Sequence, residues 1–263
     1  MTNRITQTFK ALASLNSTAF VGYMMGGDPD RTQSQKLLNA LPDAGVDIIE
    51  LGMPFTDPAA DGPTIEDAGL RSLKAGTSLS TILDMVRDFR KTNVTTPLII
   101  MGYCNPVHHM GYSAFAKAAS EAGVDGAIIV DLPPEEDSEL RAAFEAHDLA
   151  LIRLATPTTD AARLPKVVAG TKGFVYYVSM TGITGSAMTK GGAIKDQVAA
   201  VRKASSLPVV VGFGVKTPER ATEIARDADG VVVGSAIVQT FHEHGHDAAI
   251  ALVRSLAEAT HNA

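Results

Sequence analysis

Residues 19–52, AFVGYMMGGDPDRTQSQKLLNALPDAGVDIIELG, decide the fold. An apolar run at 19–24 passes through a Gly-Gly-Asp-Pro-Asp turn into a helical pattern over 31–44, and a second apolar run follows at 47–52. Neither run alternates between apolar and polar residues, which is the pattern of parallel strands covered on both faces. The unit then repeats. Further strands are predicted at 98–103, 126–130, 150–154, 174–179, 208–212 and 230–234, eight in all, with helices at 112–122, 135–147, 160–169 and 192–205. Extra helix is expected at 4–15 and 64–93, and the last strand is followed by helical stretches at 237–243 and 247–260. Eight β-then-α units without a linker, low-complexity tract or charge block predict an α/β chain folded as a (β/α)8 TIM barrel, one domain over residues 1–263. A doubly wound open sheet is the alternative.

Composition sets the limits. With 263 residues, 45% of them hydrophobic, the chain can bury a large core. A net charge of −6 and a pI near 5.6 argue against nucleic acid and anionic membrane as partners. No apolar run reaches the roughly 18 residues of a spanning helix. The opening MTNRITQTFKALASLN lacks the apolar block of a secretory signal, and the single Cys104 fits a reducing cytoplasm.

In barrels of this kind the chemistry sits at the C-terminal ends of the strands. Glu50 ends the second strand, Tyr103 and Asn105 the third, and Asp131 the fourth; Thr156 and Thr158 follow the fifth, and Tyr176 and Ser179 lie in the sixth. After Glu50, the loop MPFTDPAADG (53–62) uses two prolines and small residues to bring Asp61 back toward it. Two acids held close by a stiff loop suit general acid–base work, because their surroundings can split their pKa values. The plain structural reading of the same pair is a strand-end acid and a helix-capping acid.

Three glycine-bearing turns follow the last three strands: TGITGS at 181–186, GFGV at 212–215, and Gly234-Ser235. A helix starting after Gly234 would turn its free N–H groups to the same place, and the loops after strands seven and eight are the usual phosphate site of this fold. No predicted strand contains lysine, which disfavours a Schiff base. His108-His109 has no nearby third ligand, and His242, His244 and His246 read as a solvated turn. What remains is acid–base chemistry on a phosphorylated substrate, with no metal, imine or cofactor. The stretch 180–192 holds four glycines and little apolar content, so it is expected to be weakly anchored and to close over the site.

The blocks ELGMPFTDPAADGPTIEDA (50–68), MGYCNP (101–106), ATPTTDAARL (155–164), YYVSMTGITG (176–185), VGFGVKTPE (211–219) and VVVGSAIV (231–238), in this order, resemble the tryptophan synthase alpha chain family from about Asn3 onward. The resemblance implies cleavage of indole-3-glycerol phosphate to indole and glyceraldehyde 3-phosphate. It also implies an α2β2 complex with a pyridoxal-phosphate-dependent tryptophan synthase beta chain. It puts the acid–base glutamate at Glu50, the indole-nitrogen carboxylate at Asp61, a site tyrosine at Tyr176 and the mobile threonine at Thr184. The phosphate positions fall on Gly185, Gly214, Gly234 and Ser235. Three departures stand out: Glu66 where many members have glutamine, Tyr23-Met24-Met25 near the indole pocket, and Met180 where some have arginine.

Two other readings stay open, a phosphosugar isomerase on the same barrel and a catalytically idle regulatory subunit. The lyase, unlike the isomerase, needs a large apolar cavity, expected to be lined by Phe20, Ile65, Ile100 and Ile129. Partner contact is expected at Pro54, Asp57, Asn105 and Pro106, because their loops are rich in proline, glycine and apolar residues and poor in lysine.

Overall fold

The computed structural model describes residues 3–179, 191–212 and 214–263. Among them, nine strands run parallel in one sheet: β1 (Ala19–Met25), β2 (Ile48–Gly52), β3 (Leu98–Gly102), β4 (Gly126–Ile129), β5 (Ala150–Leu151), β6 (Arg153–Ala155), β7 (Val175–Val178), β8 (Val209–Gly212) and β9 (Gly230–Val233). The order β5-β4-β3-β2-β1-β9-β8-β7-β6 brings the two ends of the sheet together, because β5 and β6 are halves of one strand parted at Ile152. β5 pairs back to β4 and β6 pairs forward to β7. The result is a nearly closed TIM barrel, as the repeat of apolar runs predicted.

The helices are α1 (Arg4–Ser14), α2 (Arg31–Ala40), α3 (Pro63–Lys74), α4 (Leu79–Arg90), α5 (Cys104–Met110), α6 (Tyr112–Ala122), α7 (Ser138–Ala146), α8 (Leu164–Val168), α9 (Gly191–Ser205), α10 (Pro218–Ala225) and α11 (Ser235–His261). The predicted helix over 64–93 is two, parted where Ser78 caps α4 with a reciprocal Thr81 capping box. Residues 104–110, taken from the sequence as loop, form α5. α11 contains a break at Gly245, whose φ of 81° leaves the helical region. None of these helices is long and apolar enough to cross a membrane.

Strand side chains alternate between two cores. The inner core, inside the barrel, holds Val21, Ile48, Ile99, Ile128, Ile152, Phe174, Val210 and Val232. α1 plugs its lower end with Ile5 and Phe9, and Phe9 meets Phe174 edge-on at 5.8 Å. The outer core lies between sheet and helices and includes Leu37, Leu38, Ile82, Val86 and Phe89. Each fully buried Leu, Ile or Phe contributes about 1.5–3 kcal/mol, so the two cores rather than any polar contact hold the barrel shut. The upper end of the inner core is left to polar groups, and there the site lies.

Candidate active site at the barrel mouth

β2 carries Glu50 in register with Tyr23 of β1 and Ile99 of β3, so its side chain enters the barrel two residues above Ile48. It is 1% exposed, and neither carboxylate oxygen finds a hydrogen-bond partner among the described residues. Burial pushes its carboxyl up to about 8, and the nearby Asp61 charge adds to the rise. At neutral pH Glu50 is therefore mostly a neutral acid.

The following loop is held at both ends. Met53 N–H donates to the Met101 carbonyl at 2.8 Å, and Pro54 is buried. Phe55 stacks on Tyr103 with centroids 5.3 Å apart. At the far end the Ala60 N–H donates to the Tyr103 hydroxyl at 3.1 Å, and the same hydroxyl is near enough to the Asp61 carboxylate to influence it. Gly62 and Pro63 then open α3. Burial raises the Asp61 carboxyl, the Tyr103 hydroxyl draws it back down, and Glu66 in the first turn of α3 pushes it up again. Both carboxyls are raised, but only Asp61 has a neighbour that draws it back down, and such unlike surroundings are what acid–base work needs.

Two tyrosines complete the inner wall. Tyr23 lies across Gly52, and Tyr176 across Gly212; a Cβ at either glycine would overlap the phenol oxygen. Burial, then the charges of Asp61 and Glu50, lift the Tyr23 hydroxyl well above its usual range, and burial with Glu50 does the same to Tyr176. Both phenols stay protonated. Across the mouth, Gly214 has a φ of 78°, a conformation that suits glycine, and Gly234 caps α11 without a side-chain bond. Among the described residues, no side chain therefore caps the first N–H groups of α11 at the C-terminal end of β9.

The structure brings together Glu50, Asp61, Tyr176, Gly214, Gly234 and Ser235 at this one end of the barrel. Ile65 joins them from α3, packing with Tyr23 and Met101. Thr184 and Gly185, with the rest of 180–190, lie outside the described residues. The expected cavity lining needs correction. Phe20, Ile100 and Ile129 belong to the outer core, because each stands one residue out of phase with the inner wall. The inward positions on those strands are Tyr23, Met101 and Val130, joined by Leu154 and Val178. A cavity of about 370 Å³ adjoins this wall beside β4 and β6, sharing Val130 and Leu154 with it. Of the expected partner contacts, Asp57 and Asn105 are exposed, Pro106 is half-buried in α5, and Pro54 is buried beneath its loop. The sequence reading placed Tyr103 at the mouth and Tyr23 near the indole pocket but gave neither a specific task. Tyr103 at a strand end was the available signal.

Fold and mouth together define a (β/α)8-barrel enzyme with an acid pair, Glu50 buried and Asp61 half-buried, and a glycine-lined, helix-capped recess. The model of the family described as tryptophan synthase alpha chain matches residues 9–263. The chain is similar over all of both chains to the tryptophan synthase subunit alpha of Legionella pneumophila str. Paris, with 38% identity and a TM-score of 0.93. Against tryptophan synthase from M. tuberculosis, in an aminoacrylate- and BRD0059-bound form, identity is 35% and the TM-score 0.90, with 99% of each chain covered. The chain belongs to the tryptophan synthase alpha chain family, and it is accordingly an enzyme of tryptophan biosynthesis.

Proposed function

We propose that the chain cleaves indole-3-glycerol phosphate to indole and glyceraldehyde 3-phosphate. The observation that carries this reading is Glu50, a buried carboxyl with no hydrogen-bond partner among the described residues and a second carboxylate, Asp61, as its charged neighbour. The retro-aldol step needs a proton delivered to indole C3, which puts positive charge on the ring and its N–H. A neutral Glu50 delivers that proton, and Asp61 accepts the indole N–H and stabilises the charge. The resulting Glu50 carboxylate takes the proton of the glycerol hydroxyl next to the ring. The aldehyde C=O forms, the C–C bond breaks, and its electron pair returns to the ring. Glu50 ends protonated, as it began.

The remaining residues bind. Tyr23, Met101, Val130, Leu154 and Tyr176 offer the ring an apolar wall. Gly214, Gly234 and Ser235 offer backbone N–H groups to the phosphate, with Gly185 and Thr184 joining them. The assignment extends to an α2β2 assembly with a tryptophan synthase beta chain in the cytoplasm. Asp57, Asn105 and Pro106 would face that partner, and Pro54 would brace the loop from beneath. The test is to incubate the purified chain with indole-3-glycerol phosphate and measure indole, with and without a beta chain. Indole release that rises on adding the beta chain is expected; none in either case overturns the reading.

A further inference from the structure

We infer that Tyr103 is the positioning residue for Asp61, fixing through its ring and its hydroxyl the loop that carries this acid. The inference rests on the acid–base reading of Asp61 given above.

Asp61 stands nine residues beyond the end of β2, on a loop that is exposed at Thr56, Asp57, Ala59 and Ala60. Such a loop needs an outside anchor to hold a side chain to the fraction of an ångström that catalysis demands. Tyr103 is that anchor. It follows the neighbouring strand β3 directly and is only 3% exposed. Its ring stacks on Phe55 near the start of the loop. Its hydroxyl accepts from Ala60 N–H at 3.1 Å at the other end, and it lies close enough to the Asp61 carboxylate to hold that carboxyl down. A single rigid side chain therefore pins the loop at two points either side of its exposed tip. Tyr103 is itself held: the next residue, Cys104, donates its N–H to Asp131 Oδ1 at 2.7 Å at the end of β4. Burial, partly offset by the Ala60 bond, raises the phenol above its usual range, so it remains a donor.

The test uses Tyr103→Phe, which keeps the stack and deletes the hydroxyl, assayed with beta chain on indole-3-glycerol phosphate. A donor to a charged group is lost, so kcat should fall about tenfold to a hundredfold while KM changes less than about threefold. The acid limb of the kcat profile should also move to higher pH. The groups facing Asp61 are Glu50 from β2, Glu66 from α3, Tyr23 from β1 and Tyr103 just past β3, and only Tyr103 holds its carboxyl down. A role in folding alone would lower Tm and leave that limb in place. In an Asp61→Asn background, Tyr103→Phe should change turnover less than about twofold, because its effect runs through the missing carboxylate. Phe55→Leu keeps the Tyr103 hydroxyl and loosens the stack; a smaller shift of the same sign is expected, which serves if Tyr103→Phe does not fold. An unshifted limb, or full additivity with an inactive Asp61→Asn, overturns the positioning role alone. Near-normal turnover by Asp61→Asn overturns the acid–base reading and this role with it.

Discussion

The two ends of the barrel each bury a carboxylate, and they treat it in opposite ways. At the lower end Asp125, 3% exposed, takes Arg4 and Arg90 at 2.8 Å each and the Leu98 N–H at 2.8 Å. Burial pushes its carboxyl up, while the Leu98 N–H and the two guanidinium groups pull it back. At the upper end Glu50 is as deeply buried and has none of these partners among the described residues. Burial of a charge must be offset by partners, or the group gives up its charge. Asp125 keeps its charge and ties α1, α4 and β4 together. Glu50 gives up its charge and holds a proton ready. The contrast separates a carboxylate that builds the fold from one that has no hydrogen-bond partner among the described residues.

The largest effect expected from this contrast is at Glu50. Glu50→Gln keeps shape and deletes the transferable proton, so lyase turnover should fall about 10²–10⁴-fold with Tm unchanged or raised. Near-normal indole release would remove Glu50 from the mechanism. The same variant probes stability. Between the ordinary value of 4.5 and about 8, the folded chain holds a proton on Glu50 that the unfolded chain has lost. Stability of the parent therefore declines as pH rises across that window, by about 1.4 kcal/mol per pH unit from this group. Urea unfolding of parent and Glu50→Gln at about pH 5 and about pH 7.5 should show the variant gaining on the parent. A constant difference would mean that Glu50 titrates normally.

Asp125→Ala reverses the pattern. It strands Arg90, whose side chain is 9% exposed, without a counter-charge. Breaking one side of a buried pair costs about 3–5 kcal/mol, or roughly 10 °C or more in Tm for a chain of this size. Lyase turnover below the melting range should stay within a few-fold of the parent, since Asp125 sits at the far end of the barrel. A loss of turnover without a loss of stability would break the division of labour between the two ends.

The sequence showed this division only in part, and the reasons are physical. Strands that are buried on both faces read as continuous apolar runs, so seven of the eight predicted strands fall within two residues of those observed. The eighth, at 150–154, is split because its lower half pairs with β4 and its upper half with β7, a change of partner that leaves no mark on composition. The same continuity hides which residues face inward. Phe20 and Ile129 are as apolar as Val21 and Val130, and only the register places them behind the sheet rather than in the barrel. α5 escaped because Pro106 suggests a break, although proline is tolerated in a helix's first turn. That Glu50 and Asp61 lie at one mouth was legible, because Glu50 ends a strand and the proline-bearing loop turns Asp61 back toward it. Tyr103 acquires its role only when the loop folds back onto it.

The smallest effect tests the lower end once more, at a histidine paired with a carboxylate. His261, in the last turn of α11, meets Asp47 Oδ2 through Nε2 at 2.7 Å, and that oxygen also accepts the Phe20 N–H at 2.8 Å. The Asp47 hydrogen bond raises the imidazole above its ordinary 6.5, with burial opposing, and a helix C-terminus favours the same positive charge. A raised histidine value means that the contribution is fully present below the ordinary value and is lost as pH climbs through the folded one. With His261 about one-third exposed, the pair is worth about 0.5–1 kcal/mol. His261→Gln should cost that much at about pH 6 and almost nothing near pH 9, a Tm change of at most a few degrees. This loss has the same sign as that from Glu50 and overlaps its window, so the parent profile alone cannot separate them. Glu50→Gln should remove the larger part of the decline, His261→Gln the smaller, and the double variant both. A double variant that declines as steeply as the parent would show that neither end of the barrel sets its stability in the neutral range.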